Sequence, residues 1–583
     1  MGDLVAERML SMAEYFRQRN EIKKALKMAL GAKEMAQSEY WKILTVHQAG
    51  KLFHLYTLNN EEAEKFLEVA YSRMVDNSNP SASMFEPMRE YRLEAACMLA
   101  ETYIAKEESA KVLSSFYRID FPDSKKSPIH HCRLGLLCAE AAMHERKIET
   151  ALQILDQLTK FVEQFDSSVA AYFAMTRLLV TAHMLGVLPQ DEMNIASTAL
   201  ANVTPNHINY TNLQMYFMSI QLAHFLQHGQ VRTAKSLLRA MQAQTQNKMS
   251  LQGIRWGDAT YVTAITCLLT QLTCVQHCSL ERASKYYQHA IKHVAEYGSR
   301  TIRPLDMGVS HAMRRIRLVA EETMAQSHIV CCQLDLALNN LRTMAETMVH
   351  HPSLQAEFVP RMHLILGLLC LYIEDDQSAE MQMAVAAQQC RQFDSCFSLI
   401  VDCNRVLLAL TQVKQAEFYE VAERLTPNRC VDAPSPIRAM ARFMHAFHSY
   451  LNGRLPECKT RVSEVLDLTR AEDMFRMHTL AILLCSALNA QFANIVDTLR
   501  PTIDWSTKAH DVAMLLWTNS QITTAYDRSN CPNEAYEYAE LLKGNFTALV
   551  DGQKSLRGHP SLQLVKWLGT NVEDIVPKDD LYL

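Results

Sequence analysis

Glycine and proline are scarce in this sequence, at 16 and 17 of 583 residues. Each makes up about 3% of the chain, against usual values of about 7% and 5%. Since these residues interrupt regular structure, their scarcity favours helices joined by short corners. Apolar residues account for 49% of the chain, which suffices for a large core. A chain this long exceeds one ordinary core, so we expect several domains or one repeat array.

Long runs of one residue class are also missing. The 58 basic and 63 acidic residues give a net charge of −5 without a basic face for nucleic acid. The longest apolar runs, such as residues 364–373, cover about half of a bilayer crossing. The start MGDLVAERML lacks the order of a secretory signal, and Ala6 replaces the Ser or Thr of a myristoylation site. We therefore expect a soluble intracellular protein.

Metal-ligand and catalytic motifs are missing as well. Sixteen cysteines lie between Cys97 and Cys531 without a CxxC pair, so we expect reduced, buried thiols. No GxGxxG, GxxxxGK[ST], HExxH or GxSxG string occurs. We expect no cofactor and no enzymatic activity.

Cys274, His277 and Cys278 in CVQHC would share one face of a helix. Structural zinc sites use four ligands with short CxxC-like spacing, so we interpret these residues as part of an apolar helix face. The same interpretation applies to HHC at 130–132 and CC at 331–332, whereas the histidines at 350–351 precede Pro352 and are interpreted as a helix end.

A repeat is present, and its clearest copy is LGLLCLYIEDDQSAEMQMAVAA at residues 366–387. Ala379 follows Gly367 by twelve residues, and Met383 and Ala386 follow Ala379 by four and seven. This spacing is typical of tetratricopeptide repeats, in which small residues let two antiparallel helices approach closely. We interpret the acidic residues 374–376 as a helix cap and turn rather than a metal or catalytic site.

The same pattern recurs at thirteen places, 35 to 54 residues apart. The predicted packing positions are Gly50, Ala63, Ala70, Ala151, Ala234, Ala283, Ala290, Ala337, Gly367, Ala379, Ala386, Gly453, Cys458 and Ala535. Weaker copies begin at Ala25, Ala110, Ala196, Ala416 and Ala493. The sequence therefore predicts an all-α, tetratricopeptide-like helical-repeat solenoid, a superhelix of about 13 antiparallel helix pairs.

The predicted array is continuous over residues 1–545, and residues 546–583 are predicted to form a C-terminal helix around 562–568 and an acidic tail. That remainder is too short for a catalytic domain. Arg314, Arg315 and Arg317 form the densest basic cluster, which we interpret as a solvated helix face; contact with a phosphate or an acidic peptide is the alternative. Stacked helix pairs usually hold an extended segment of another protein, so we expect a scaffold whose contact residues the pattern does not identify.

Three stretches resemble the helical-repeat subunit of the cohesin-loading complex, the maternal-affecting-uncoordinated or sister chromatid cohesion protein 4 homologue family. They are EAACMLAETYIAKEESAKVL (94–113), HLILGLLCLYIEDDQSAEMQMAVAA (363–387) and FHSYLNGRLPECKTRVSEVLDLTRAEDMFRMHTLAILL (447–484). Cys458 stands where the family usually has alanine, and Ala446 where it usually has glycine.

The resemblance implies a heterodimer in which the chain wraps the N-terminal segment of the large HEAT-repeat loader subunit. It further implies an indirect role in loading cohesin onto chromatin, in sister-chromatid cohesion, chromosome segregation and development, mainly in the nucleus. Two alternatives stay open. One is another tetratricopeptide adaptor, such as a subunit of a mitotic ubiquitin ligase; the other is a nucleic-acid-reading repeat, which the mildly acidic charge disfavours.

Overall fold

The computed structural model describes residues 1–76, 86–116, 128–162, 166–185, 188–246, 259–299, 307–390, 395–488 and 495–576. These residues form 26 α-helices, four 3₁₀ segments and no strand. The first thirteen helices are α1 (Gly2–Gln18), α2 (Ile22–Met35), α3 (Glu39–Tyr56), α4 (Asn60–Asp76), α5 (Glu86–Ala105), α6 (Ser109–Phe116), α7 (Pro128–His144), α8 (Ile148–Val162), α9 (Ser167–Leu185), α10 (Gln190–Ala201), α11 (Tyr210–Gln227), α12 (Val231–Gln246) and α13 (Ala259–Gln276).

The remaining helices are α14 (Leu280–Gly298), α15 (Met307–Val330), α16 (Leu334–Val349), α17 (Gln355–Tyr372), α18 (Asp376–Cys390), α19 (Ser395–Thr411), α20 (Gln415–Ala422), α21 (Ser435–Leu451), α22 (Leu455–Ala471), α23 (Phe475–Leu488), α24 (Ile495–Ala509), α25 (Val512–Arg528) and α26 (Pro532–Ser555). The 3₁₀ segments are Pro352–Leu354, Glu423–Leu425, Pro560–Lys566 and Val572–Asp574. Odd- and even-numbered helices alternate as the first and second members of the pairs.

The chain divides into two compact units. The first comprises residues 1–214, 251–257 and 296–312, and the second comprises residues 215–250, 258–295 and 313–583. In the first unit, the largest apolar cluster is built mainly by α5, α7, α8 and α9, with Leu99, Leu134, Leu155 and Phe173 at its centre. In the second unit, one large cluster joins α15–α18 and another joins α19–α23.

A single type of corner joins the two helices of ten pairs. After the first helix one residue adopts a left-handed conformation, with φ between 55° and 71°. The next N–H then donates back to a carbonyl five residues earlier, as Asp375 N does to Cys370 O at 3.0 Å. This is the Schellman arrangement, which pairs the carbonyls that a helix end leaves without partners. The ten corner residues are Asn20, Glu107, Arg146, Gly229, Cys278, Cys332, Glu374, Val413, Gly453 and Asn530.

Small residues set the distance between paired helices. A Cβ atom on Gly50 of α3 would lie 2.9 Å from Leu67 Cγ of α4, and one on Gly367 of α17 would lie 2.9 Å from Met383 Cγ of α18. Both contacts are tighter than side-chain carbons tolerate, so a larger residue would force the helices apart. The repeat spacing seen in the sequence is therefore a packing requirement.

Residues after α26 return to the middle of the second unit. Leu564, Val565 and Trp567 are buried in the α15–α18 cluster. Gln382 Nε2 of α18 donates to Val565 O at 2.8 Å and to Trp567 O at 2.6 Å. His363 of α17 stacks on Trp567 at a centroid distance of 4.6 Å. This C-terminal segment is thus part of the core.

The helix predicted around residues 562–568 is replaced by the 3₁₀ segment Pro560–Lys566. Gln382 of α18 donates to the carbonyl of Val565 in this segment and to that of Trp567 directly after it. In a longer regular helix, these carbonyls would accept from N–H groups of the helix itself. Helix α26 continues past residue 545 to Ser555, and residues 577–583 of the predicted tail lie outside the described ranges. The proposed division at residue 545 stays a prediction.

In the part of the chain that the structure describes, one stretch, Pro352–Tyr372, is long and apolar enough to cross a membrane. Of its apolar window, 67% is buried inside the protein. Phe358, Ile365 and Leu369 of this stretch are fully buried in the α15–α18 cluster. It therefore occupies the place of a core helix.

Candidate functional site

Thirteen of the fourteen predicted packing positions are buried. Ten of them have no exposed surface: Ala63, Ala70, Ala151, Ala234, Ala283, Ala290, Ala337, Ala379, Ala386 and Cys458. Ala535 is 4% exposed, and Gly50 and Gly367 are buried within α3 and α17. Each lies in the helix that its spacing predicts.

Gly453 is different, because it is exposed and a Cβ atom there would meet nothing within 4 Å. With φ at +71° it forms a corner, so its conformation rather than its small size is what the fold uses. Two weaker copies are out of register. Ala110 and Ala416 are exposed, and the buried residues at those places are Ser109 and Phe418. Ala493 lies outside the described residues.

The acidic triplet forms a cap and a turn. Glu374 takes the left-handed corner conformation, with φ at +62°. Asp375 accepts hydrogen bonds from Ser378 N at 3.0 Å and Ser378 Oγ at 2.7 Å. Those two bonds hold the pKa of Asp375 below its usual value. The interpretation of the triplet as a helix cap is confirmed.

The CVQHC and CC motifs end at repeat corners, whereas HHC at 130–132 lies in α7. Cys278 and Cys332 are left-handed corner residues, with φ at +58° in each. Burial raises the pKa of Cys278 and of Cys332 to about 11 and that of Cys331 to about 12, which keeps the thiols protonated at neutral pH. In the ranges that the structure covers, no group of three or more His, Cys, Asp or Glu side chains could hold a metal ion.

The basic cluster is only partly a solvated face. Arg315 is exposed and its Nη2 donates to Glu357 Oε1 at 2.8 Å, whereas Arg314 and Arg317 are half-buried. All three lie on α15. The predicted solvated face fits Arg315 best, and Met313 and Ile316 of α15 are buried beside it.

A cavity of about 270 Å³ opens inside the second unit. It lies where the α11–α12 and α13–α14 corners meet α15, α21, α23 and the end of α24. Its lining is mainly apolar and includes Val231, Val275, Leu280, Val330, Pro436 and Met474. The contributing segments are spread over residues 229 to 511, so spacing in the sequence gave no sign of it.

Gly229 makes this meeting of helices possible. It adopts φ +68°, and a Cβ atom would lie 2.7 Å from Pro436 Cγ and 3.0 Å from Met474 Sδ. Beside it, Arg232 Nη2 donates to Asp473 Oδ1 at 2.6 Å, which lowers the pKa of Asp473. The Arg232 side chain is 64% exposed, and such pairs usually add less than about 1 kcal/mol. Close packing of Gly229 against Pro436 and Met474 therefore contributes more to the stability of this helix meeting than the Arg232–Asp473 pair does.

Two charged residues, Arg476 and Asp511, line the same cavity. Arg476 Nε donates to Asp511 Oδ2 at 2.8 Å. Asp511 Oδ1 accepts from Met514 N at 3.2 Å and so caps α25. Asp511 is nearly fully buried, whereas 51% of the Arg476 side chain is exposed. The two Nη atoms of Arg476 donate to no group in the described residues, so they stay available as donors.

The fold defines a protein of the helical-repeat class, in which stacked helix pairs usually hold an extended segment of another chain. The chain belongs to the cohesin loading factor family, whose sequence model matches residues 7–520. The predicted resemblance, the all-α solenoid fold and the predicted role in cohesin loading are confirmed. The cohesin loading factor family acts at chromatin.

Known proteins of this kind are similar over the whole chain. Maternal uncoordinated protein 2 of Caenorhabditis elegans is 27% identical over 603 residues, covering 100% of both chains. The MAU2 chromatid cohesion factor homolog of Drosophila melanogaster is 20% identical and covers 96% of this chain and 89% of its own. A crystal structure of Scc4 in complex with Scc2n and Ctf19n shares the fold with a TM-score of 0.55 at 9% identity, over 94% of this chain and 97% of that one.

Proposed function

We propose that this chain is the non-enzymatic scaffold subunit of the cohesin loading complex. In this proposal it wraps the N-terminal segment of the large HEAT-repeat loader subunit as a heterodimer and acts with it in the nucleus on chromatin. The observation that carries the proposal is the match of the family over residues 7–520. The likeness to Scc4, which was crystallised with Scc2n, supports a segment of the loader as the partner.

The absence of enzymatic activity is supported by the same geometry. The described residues up to Ser555 form repeat helices, an architecture that usually holds other protein chains. Burial also raises the pKa of Cys138 and Cys370 to about 12, which disfavours nucleophilic thiolates.

Co-purification tests the proposal directly. The tagged full-length chain is co-expressed with the N-terminal segment of the large loader subunit from the same organism, and the eluate is measured by size-exclusion chromatography with light scattering. We expect a 1:1 complex that survives moderate salt, because a wrapped segment buries a large area. Failure of the two chains to co-elute refutes the proposed partner.

Affinity purification from nuclear extract separates the proposal from the adaptor alternative. Recovery of the large loader subunit in stoichiometric amount, with cohesin in smaller amount, supports the loading complex. Recovery of ubiquitin-ligase subunits in its place supports the mitotic adaptor. Fluorescence microscopy of the tagged chain tests the nuclear location, and a signal confined to the cytoplasm contradicts it.

A further inference from the structure

We propose that the cavity in the second unit is an anchor site for one bulky apolar side chain of an extended protein segment, whose neighbouring main-chain carbonyl is held by Arg476. The inference rests on the proposed function, because it takes the N-terminal segment of the large loader subunit as the occupant. The inference identifies the part of the solenoid that contacts the segment and the type of side chain that this part binds.

The size of the cavity selects the kind of occupant. A dry cavity of about 150 Å³ accepts a benzene molecule, so about 270 Å³ accommodates one large aromatic side chain or two aliphatic ones. An extended chain presents such side chains singly, one at each alternate position. The cavity therefore fits a side chain of a bound segment better than a free cofactor.

The lining of the cavity is suited to an apolar side chain and can adapt to its shape. Met474, Phe475 and Met477 follow one another at the start of α23 and all contribute to the wall. Methionine side chains are flexible and polarisable, so they repack around an incoming group. Val231 is 1% exposed and Met474 is 7% exposed, which shows that the inner wall is shielded from water. Filling the cavity with an apolar side chain gives these residues van der Waals contacts that an empty cavity lacks.

The charges at the cavity favour a neutral partner over an acidic or phosphorylated one. Arg476 is paired with Asp511, and Arg232, which follows the lining residue Val231, is paired with Asp473, so each cation already has its own carboxylate. What remains is the donor capacity of the Arg476 Nη atoms, on a side chain that is 51% exposed. Since a guanidinium has five N–H donors, Arg476 can keep Asp511 and still donate to a main-chain carbonyl of an extended segment.

Blocking the cavity tests the inference. Gln326 lines the cavity and is exposed, so Gln326→Trp fills the mouth without disturbing the core. The matched control is Gln415→Trp on α20, which is also exposed and does not line the cavity. The affinity of the fluorescently labelled loader N-terminal segment is measured by anisotropy with the full-length chain. We expect Gln326→Trp to weaken binding about 10- to 100-fold, as loss of a buried anchor does, and Gln415→Trp to leave it unchanged.

Thiol protection locates the segment without any substitution. Cys278 lines the cavity, whereas Cys531 lies at the N-terminus of α26 away from it. Alkylation of each residue is followed by mass spectrometry with and without saturating segment. We expect the segment to slow labelling of Cys278 at least about 5-fold and to leave that of Cys531 unchanged, because an occupied cavity excludes the reagent.

An alanine scan of the bulky apolar residues of the segment identifies the anchor. One substitution should weaken binding about 10-fold to the wild-type chain and have no effect on binding to Gln326→Trp, since the two changes remove the same contact. Arg476→Lys keeps the charge beside Asp511 but loses the fork of donors, so we expect weaker binding with an unchanged melting temperature.

The outcomes separate the two proposals. If the segment binds wild-type and Gln326→Trp chains equally and leaves Cys278 labelling unchanged, the anchor site is refuted and the proposed partner stands. If the segment does not bind the wild-type chain, the proposed partner is refuted and the anchor site with it.

Discussion

Gly229→Ala should destabilise the second unit far more than Gly453→Ala. Both glycines are left-handed corner residues, with φ at +68° and +71°, and both amides close the same corner hydrogen bond. A Cβ atom in this conformation costs about 1–2 kcal/mol, of which the stiffer unfolded chain returns about 0.4–1 kcal/mol. Gly453→Ala is open to solvent and should therefore cost about 1 kcal/mol.

Gly229→Ala bears a second cost. Its Cβ would lie 2.7 Å from the rigid ring of Pro436 in α21 and 3.0 Å from Met474 Sδ, so the α11–α12 corner must move away from α21 and the start of α23. Overpacking of this kind costs about 1–3 kcal/mol, which brings the total to about 2–4 kcal/mol. The checks are urea denaturation of both variants by circular dichroism and hydrogen exchange at the start of α23. Exchange at α23 should accelerate in Gly229→Ala only.

Equal midpoints for the two variants, with unchanged exchange at α23, would refute the reasoning. That result would mean that the α11–α12 corner does not press against Pro436 and Met474 in solution. The cavity would then lose one of its walls. The outcome therefore also bears on the geometry from which the anchor site was inferred.

Four further substitutions probe the packing and the charges. Gly50→Ala should destabilise the chain by about 1–3 kcal/mol in thermal denaturation, because its Cβ would lie 2.9 Å from Leu67 Cγ. Gly544→Ala should instead stabilise α26 by about 0.5–1 kcal/mol, because its Cβ would meet nothing within 4 Å. Val413→Gly should raise the melting temperature, because a β-branched, 79% exposed residue at φ +58° is strained; a lower value would contradict this. Burial holds the pKa of His47 at about 4, below the unfolded value of 6.5. The stability that neutral His47 contributes is therefore present above pH 6.5 and declines as the pH falls toward 4. In His47→Phe, the urea midpoint should depend less on pH between 4 and 6.5.

The sequence predicts the paired helices well because their packing rule is local. A small residue facing the preceding helix leaves a mark at a regular distance, as Ala151 and Ala379 do. The rule fails where the corner shifts by a residue or two, so that Ser109 and Phe418 are buried in place of Ala110 and Ala416. Alanine is too common in helices for one match to fix the register.

The cavity could not be predicted, for a physical reason. Its walls come from segments such as Gly229 and Asp511, which are joined only by the path of the whole second unit. Arg476 stood within the family-like stretch 447–484, but nothing local pairs it with Asp511, 35 residues away. Contacts set by the stacking of many repeats leave no periodic signal.

The docking of the C-terminal segment has a consequence for how the chain is made. An open repeat array can fold from its first helices as synthesis proceeds. Here the core around α17 and α18 is complete only once Trp567 has been synthesised, 185 residues after Gln382. At about 5–20 residues per second, ribosomes leave that apolar surface uncovered for roughly 10–40 s. A nascent chain halted before Trp567 would therefore present an incomplete core, which exposes it to aggregation and degradation.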